Sequence, residues 1–344
     1  MRRMGEFDLI RRVFFRTTPA APGVLLGNGD DAALLAPAPG RALAVSSDML
    51  VAGRHFLPDV APQALGHKAL AVNLSDLAAM GARPLAFTLA LALPRVDEAW
   101  LRALAEGMLT LADAHGCALV GGDTTAGPLT LALTVFGEVE PPRALRRDAA
   151  RVGDDVWVSG VLGRARLGLA LLCGELALSG PAAETARTQL LRPLPRLALG
   201  QALAGLAHAA ADVSDGLLAD LGHILAASGV AAELDVDALL REAAAPEVRA
   251  LPPATALSYA LAGGDDYELV FTAPAARRDA VQAAAVRAAT PVARIGRIVA
   301  GAPAQHPLAD GAGRVRLLDA HGRPYPLPDG VRLAGFDHFA TIAA

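Results

Sequence analysis

The residues in this 344-residue chain best suited to chemistry are aspartates set beside glycine, serine and threonine. They recur at the ends of apolar segments, as Gly29-Asp30-Asp31-Ala32, Ser46-Ser47-Asp48, Asn73-Leu74-Ser75-Asp76, Gly122-Asp123-Thr124-Thr125, Asp212-Val213-Ser214-Asp215-Gly216 and Gly264-Asp265-Asp266. Taken singly, such residues form turns and helix caps. Asp76 is different. The helix that opens at Pro62 should stop at Gly81, with Pro84 just beyond. Asp76 then falls in its last turn or two, where a negative charge opposes the macrodipole at about 0.3–1 kcal/mol. Beside Leu74, Leu77, Ala78 and Ala79 an unpaired carboxylate would also be poorly solvated. A bound cation removes both penalties. Asp212 and Asp215 stand where a helix is expected to begin, a position that favours carboxylates without any metal.

Donor chemistry narrows the cation. Oxygen ligands without cysteine or clustered histidine suit hard ions such as Mg²⁺ or Ca²⁺. The Ca²⁺ loop pattern, closely spaced acids around a glycine and ending in glutamate, is absent, so Mg²⁺ held by a few carboxylates and substrate phosphates fits better. There is no G-x-x-x-x-G-K-[ST] loop, no G-x-G-x-x-G after a strand, and no H-R-D or D-F-G. Any nucleotide chemistry lies outside those classes.

The elements that must position these groups alternate along the chain. Strands are expected at Ala42–Ser46, Ala86–Leu93, Leu129–Val139, Asp155–Ser159, Ala231–Val236, Glu268–Thr272 and Val292–Ile298. Helices are expected at Pro62–Met80, Glu98–His115, Ala165–Leu172, Pro195–Ala207, Leu217–Ala227 and Arg277–Ala289. The alternation argues for α/β or α+β layers. The length predicts two domains, and Pro141-Pro142 with the basic stretch Arg143–Arg151 marks the junction, giving domains 1–142 and 143–344. Asp154 and Asp155 read as turn residues leading into a new strand. With 53% hydrophobic and 19% charged residues the chain can bury a large core. A net charge of −4 offers no basic surplus for nucleic acid. Met1 to Arg16 is too charged and interrupted for a signal peptide, and the longest apolar runs, such as Leu85–Leu93, reach half a membrane span. Cys117 and Cys173 read as two buried thiols in a reducing cytoplasm.

Together the motifs resemble those of bacterial thiamine-monophosphate kinases. The resemblance is carried by Gly5-Glu6-Phe7, Gly29-Asp30-Asp31-Ala32-Ala33, Ser46-Ser47-Asp48, Gly53-Arg54-His55-Phe56, the run from Lys68 to Ala82, and Gly121-Gly122-Asp123-Thr124-Thr125. It continues through Asp212 to Leu217, Gly263-Gly264-Asp265-Asp266-Tyr267-Glu268-Leu269 and Gly335-Phe336-Asp337-His338-Phe339, and so covers nearly the whole chain in order. It implies a two-domain aminoimidazole-ribonucleotide-synthetase-like fold, α/β (α+β) with mixed sheets flanked by helices, in a homodimer joined through the N-terminal domains. It also implies transfer of the γ-phosphoryl group of ATP to thiamine monophosphate with several Mg²⁺ ions. By the same resemblance Asp31, Ser46, Ser47, Asp48, Asp76, Asp123, Asp212 and Asp215 hold metal. Gly122, Asp123, Arg147 and Ser214 contact ATP, and His55, Asp265 and Phe336 contact thiamine monophosphate. Asp265 stands where glutamate is usual, and Phe336 where tyrosine or tryptophan is common; phenylalanine keeps the stacking face and loses the polar handle. No general base is expected.

Two other readings remain at this point. A selenophosphate synthetase would need an N-terminal cysteine or selenocysteine, and a hydrogenase-maturation dehydratase a C-terminal cysteine; this chain has its cysteines at 117 and 173 and ends Ala343-Ala344. A phosphoribosyl-aminoimidazole cyclase is a further relative of that kind. A non-catalytic Mg-nucleotide sensor of the same fold is the alternative from another class, and an oxygen ligand at nearly every expected metal position argues against it.

Overall fold

The computed structural model describes residues 10–14, 22–301 and 314–335. The chain divides into two compact units, Met1–Leu77 with Ala82–Pro142, and Arg143–Ala344 with Ala78–Gly81.

The first unit opens with a short antiparallel ribbon, β1 (Val24–Leu26) and β2 (Leu34–Leu35). Its main sheet contains β3 (Ala42–Val51), β4 (Arg83–Leu93), β5 (Ala118–Ala126) and β6 (Thr130–Val139), in the order β3-β6-β4-β5. Only β4 and β5 pair in parallel, and between them in sequence runs a helix, as a parallel crossover requires. Helix α1 (Pro62–Ala79) links β3 to β4, and α2 (Glu98–His115) links β4 to β5. Asp97 caps α2 by accepting the Trp100 N–H, and Gly116 ends it in a left-handed conformation. Leu101, Leu104, Met108, Leu111 and Ala112 form its buried stripe at helical spacing. The two helices approach closely: a Cβ on Gly66 would lie 2.0 Å from the Leu104 carbonyl oxygen, and one on Gly107 1.9 Å from that of Gln63.

Leu131, Leu133 and Val135 of β6 are buried on one face of this sheet, as are Leu89, Leu91 and Leu93 of β4. The other face is covered in part, where Val24, Ala33 and Leu35 pack with Leu85, Ala86, Val120 and Phe136, and is open along β3. Along β3 it presents Leu43, Val45 and Met49, the last two 58% and 57% exposed. Among the described residues that leaves a row of largely exposed apolar side chains along β3.

The second unit holds a six-stranded sheet in the order β12-β9-β11-β7-β10-β8. Its strands are β7 (Asp154–Ser159), β8 (Ala209–Asp212), β9 (Val230–Asp235), β10 (Leu269–Pro274), β11 (Val292–Ala300) and β12 (Val315–Leu318). All pairings are antiparallel except β12 with β9. The longer helices are α3 (Arg164–Leu172), α4 (Pro181–Leu191), α5 (Leu197–Leu203), α6 (Leu217–Ser228), α7 (Pro253–Ala262) and α8 (Arg278–Arg287). Leu217, Leu221, Ile224 and Leu225 of α6 and Leu257 and Leu261 of α7 form one core with Val156, Val158 and Val270 of the strands. The α/β class with mixed sheets flanked by helices is as expected.

Several local expectations are corrected. The first strand runs past Ser46 to Val51, because Ser46, Ser47 and Asp48 keep their ladder partners on β6. Gly121-Gly122-Asp123 lies within β5 rather than in a turn. Asp154 and Asp155 are buried strand residues, each satisfied by a specific partner. His208 Nδ1 lies 2.9 Å from Asp154, and Arg278 donates two hydrogen bonds of 2.6 and 2.7 Å to Asp155. Such pairing is what makes buried carboxylates tolerable. Of the two thiols only Cys117 is buried, which pushes its pKa up to about 12; Cys173 is exposed just beyond the end of α3.

Candidate active site

In the first unit, β3 and α1 bring four of the polar residues together. Ser46 and Asp48 alternate with Ser47 along β3, so they share the face turned toward α1. On α1, Asn73 and Asp76 are three residues apart and therefore share a helix face. Two hydrogen bonds join the pairs: Ser46 Oγ donates to Asp76 Oδ2 at 2.5 Å, and the Asp48 backbone N–H donates to Asn73 Oδ1 at 3.0 Å. Asn73, fully buried, also donates from Nδ2 to the Ala69 carbonyl. Every other residue from Ala69 to Ala79 is buried; Asp76 alone reaches the surface. Helix α1 does carry Asp76 in its last turn, ending at Ala79 with Gly81 left-handed. Its carboxylate is not left unpartnered, as the sequence suggested, but is met by the Ser46 hydroxyl.

The remaining expected residues of this unit lie apart from that group. The pleat turns Ser47 to the opposite face, where its hydroxyl donates to the Leu133 carbonyl at 2.9 Å. Asp31 is exposed in the bend after β1, and its N–H donates to Asp30 Oδ1. His55 closes the turn after β3: its Nδ1 accepts the Val51 N–H at 3.0 Å. That bond fixes the neutral tautomer with the proton on Nε2. Asp123 stands on β5, at the opposite edge of the sheet from β3. It shares a row with Ala90, Ala132 and Met49 on the open face, whereas Asp48 shares a row with Leu133, Leu89 and Gly122. Three strand spacings separate Asp48 and Asp123, ~14 Å at the usual spacing. Gly122 has φ +147°, and a Cβ there would sit 1.9 Å from the Leu89 carbonyl oxygen, so no larger residue fits beside β4.

In the second unit, Asp212 ends β8 and Asp215 lies in the turn before α6, so neither is the first residue of a helix. Asp220, in the first turn of α6, is buried and accepts the N–H groups of Ser214, Asp215 and Gly216 at 3.0, 3.1 and 3.1 Å. Burial, followed by the nearby charges of Asp212 and Asp215, holds its carboxyl well above the ordinary carboxylate range. The turn is stitched to the 263–268 loop. The Asp265 N–H donates to the Ser214 carbonyl at 2.8 Å, Tyr267 N–H to Val213 at 2.9 Å, and Val213 N–H to Glu268 at 2.7 Å.

Asp265 and Tyr267 have φ of +60° and +51°, a left-handed conformation unusual for residues with a Cβ. Between them Asp266 is buried and accepts the N–H groups of Gly163 and Ala165 at the start of α3, at 2.6 and 3.1 Å. Burial is the dominant influence on its carboxyl and pushes the pKa up to about 8, against the pull of those two N–H groups. Asp265 is half-buried and accepts the Tyr267 hydroxyl at 3.1 Å. Arg147 is exposed and gives its carbonyl to Ser228 Oγ. Phe336 lies outside the described residues.

Among the described residues no three carboxylate, imidazole or thiolate side chains converge closely enough to hold a metal ion alone. The donors present are hydroxyl, carboxylate and amide oxygens in twos, which fits a hard ion that completes its shell with water or substrate phosphate. Asn73, Asp266 and Tyr267 stood within motifs but were given no role from the sequence, and Asp220 was not singled out at all. A buried asparagine three residues before Asp76 and an aspartate in the first turn after Asp-x-x-Asp-Gly were the available signals.

Residues 29–139 match the family of AIR synthase related proteins, N-terminal domain, and residues 151–305 its C-terminal domain. The chain belongs to this family of two-domain proteins. It is 44% identical over 338 residues to the thiamine-monophosphate kinase of Salmonella typhimurium, covering 98% of this chain and 99% of that one. The crystal structure of thiamine-monophosphate kinase from Stenotrophomonas maltophilia is similar, with a TM-score of 0.79 and 47% identity over 89% of this chain and 93% of that one. A structure of AaThiL complexed with AMPPCP and TMP has a TM-score of 0.72 and 30% identity, over 88% of this chain and 89% of that chain. Within the AIR synthase related proteins, this chain belongs to the thiamine-monophosphate kinases.

Proposed function

We propose that the chain transfers the γ-phosphoryl group of ATP directly to the phosphate of thiamine monophosphate, giving thiamine diphosphate and ADP, with Mg²⁺ in the site. The observation that carries the reading is the pairing of Ser46 and Asp48 on β3 with Asp76 and Asn73 on α1. It gathers hard oxygen donors at the one half-buried position of an otherwise buried helical run, Ala69–Ala79. Asp48, Asp76 and Ser46, with Asp212 and Asp215 in the second unit and Asp31, Ser47 and Asp123 as further donors, are the residues that would hold Mg²⁺. When bound, the metal supplies charge neutralisation for the two phosphates.

The need for that neutralisation follows from the substrates. Two like unit charges 4 Å apart repel by ~4 kcal/mol at an effective dielectric of 20, and both partners here carry more than one. The acceptor phosphate has its second pKa near ~6 and is already mostly dianionic at neutral pH, so no residue has to remove a proton. The work left to the side chains is positioning. His55, its ring held by the Val51 N–H, would contact the substrate. Asp265 and Phe336 would contact the thiamine, and Gly122, Arg147 and Ser214 the ATP. A kinase of this kind works where ATP is supplied, which supports a cytoplasmic location. No described helix is long and apolar enough to cross a membrane.

We also infer that a second copy of the chain covers the open face of the first unit's sheet. Val45 and Met49 are too exposed to be left to water along a whole strand. Asp123 projects from that same face, too far from Asp48 to share an ion within one subunit. Sedimentation should give a dimer, and Val45→Glu with Met49→Glu a monomer; a native monomer overturns this part. The activity is tested by incubating the protein with ATP, Mg²⁺ and thiamine monophosphate. ADP and thiamine diphosphate should form together and cease with EDTA, and ADP formation that ignores thiamine monophosphate would overturn the reading.

A further inference from the structure

We propose that Asp220, which lies outside every motif carrying the family resemblance, is the positioning residue that presents the Asp212–Asp215 turn to its cation. The proposal rests on the kinase reading above. The turn leaves β8 at Asp212 and enters α6 at Leu217, so successive N–H groups meet the positive end of a helix. That geometry ordinarily makes an anion pocket, and in nucleotide-binding proteins it takes a phosphate. Here the pocket is already filled. One oxygen of Asp220, Oδ2, accepts three consecutive N–H groups, and the side chain is buried beneath the turn.

Two consequences follow. The amide pocket is closed to a nucleotide phosphate, so any contact of Ser214 with ATP falls to its hydroxyl. The backbone of the turn is also fixed from both sides. Its N–H groups are held by Asp220, and its Val213 and Ser214 carbonyls accept the N–H groups of Tyr267 and Asp265. Gly216 is part of the device: at φ +125°, a Cβ there would lie 2.8 Å from Ala262 Cα. A ligand therefore meets this turn through the side chains of Asp212, Ser214 and Asp215, on a backbone that does not rearrange to receive it. Because a single oxygen accepts all three N–H groups, the role depends on where that oxygen lies rather than on the charge of the side chain.

The test compares Asp220→Asn with Asp220→Glu in the full chain. Asparagine keeps an acceptor oxygen in place without the charge; glutamate keeps the charge but moves the oxygen by one methylene. Mn²⁺ alone is the probe, with free ion counted by electron paramagnetic resonance, alongside the Mg²⁺ dependence of the kinase rate and circular dichroism of the fold. Asp220→Asn should hold the tightest Mn²⁺ within about threefold of native, and Asp220→Glu should weaken it roughly tenfold or more, the scale typical of residues supporting metal ligands. The Mg²⁺ concentration for half-maximal rate should rise by a similar factor in Asp220→Glu, with the KM for thiamine monophosphate within about twofold of native. Equal binding by the two variants, or a lower kcat with unchanged Mg²⁺ dependence, would overturn the proposal. Native protein that binds Mn²⁺ but shows no phosphorylation of thiamine monophosphate would instead overturn the kinase reading.

Discussion

Glu268 closes the 263–268 loop just before β10, and Arg196 is its cationic partner. Its side chain is 2% exposed and that of Arg196 17%. Arg196 grips it with both Nε, at 2.7 Å, and Nη2, while Ser159 Oγ donates at 2.6 Å and passes the connection on to the Leu269 N–H. Replacing Arg196 with methionine fills much of the volume but removes two charge-assisted hydrogen bonds and leaves a buried carboxylate with the serine. Breaking a buried pair in this way costs about 3–5 kcal/mol, chiefly through the stranded charge. Glu268→Gln leaves the more exposed partner unpaired, and Arg196 can turn toward water, so the loss should be about 1–2 kcal/mol. The double variant strands nothing. It should be less destabilised than Arg196→Met alone, giving a coupling of about 2–3 kcal/mol.

Trp157, stacked on Phe271 with ring centroids 6.2 Å apart on the strands beside Ser159 and Glu268, reports on this unit. Urea unfolding followed by its fluorescence, in a Trp100→Phe background, measures all four members of the cycle. If Arg196→Met costs less than about 1 kcal/mol, or the double variant equals the sum of the singles, then the pair does not hold the loop and the reasoning from stranded charge fails.

Asp76→Asn retains the shape of the side chain and an oxygen for the Ser46 hydroxyl, so unfolding should change little while kcat falls about 100-fold or more, as expected for loss of a metal-binding carboxylate; steady-state kinetics at saturating Mg²⁺ decide it, and full activity would remove Asp76 from the site. His115, in the last turn of α2, has its pKa lowered, first by burial and then by the neighbouring His67. A depressed histidine contributes stability that is present above the unfolded pKa of about 6.5 and is lost as pH falls through the folded value. Thermal melts between pH 7.5 and 5.5, followed by Trp100 in the same helix, should show the native midpoint falling with acid more steeply than that of His115→Gln; parallel slopes would refute the assignment.

Much of the frame was legible in the residues. Helix Glu98–His115 reads directly from its capping aspartate, its 3.6-residue apolar stripe and its terminal glycine, and it forms over that span. What escaped has identifiable causes. Strand β5 carries Gly121-Gly122-Asp123-Thr124-Thr125, whose local chemistry is that of a turn; parallel pairing with β4 overrides it, and Gly122 is there because the β4 backbone comes too close for a side chain. Strand β8 is Ala-Ala-Ala-Asp, a helix former by propensity, held as a strand by β10. Helices α4 and α7 begin at prolines inside alanine-rich runs where no apolar stripe stands out.

The aspartates themselves divide along a line that spacing alone does not draw. Asp265 and Asp266 are adjacent, yet Asp265 is held half-exposed while Asp266 is buried as the cap of α3. Asp215 and Asp220 are five residues apart, and the second accepts the N–H of the first. In each case one carboxylate is spent inside the fold to hold the backbone that offers the other. Two residues of this loop with left-handed φ, Asp265 and Tyr267, are the cost of turning Asp266 inward. If Asp265 stands for the glutamate that the family resemblance implies, its arm is one methylene short. A loop pinned by Asp266, Tyr267 and the Val213–Ser214 carbonyls cannot advance to make up a missing methylene. Any substrate contact made by Asp265 must therefore be closed by the ligand's own approach or by water.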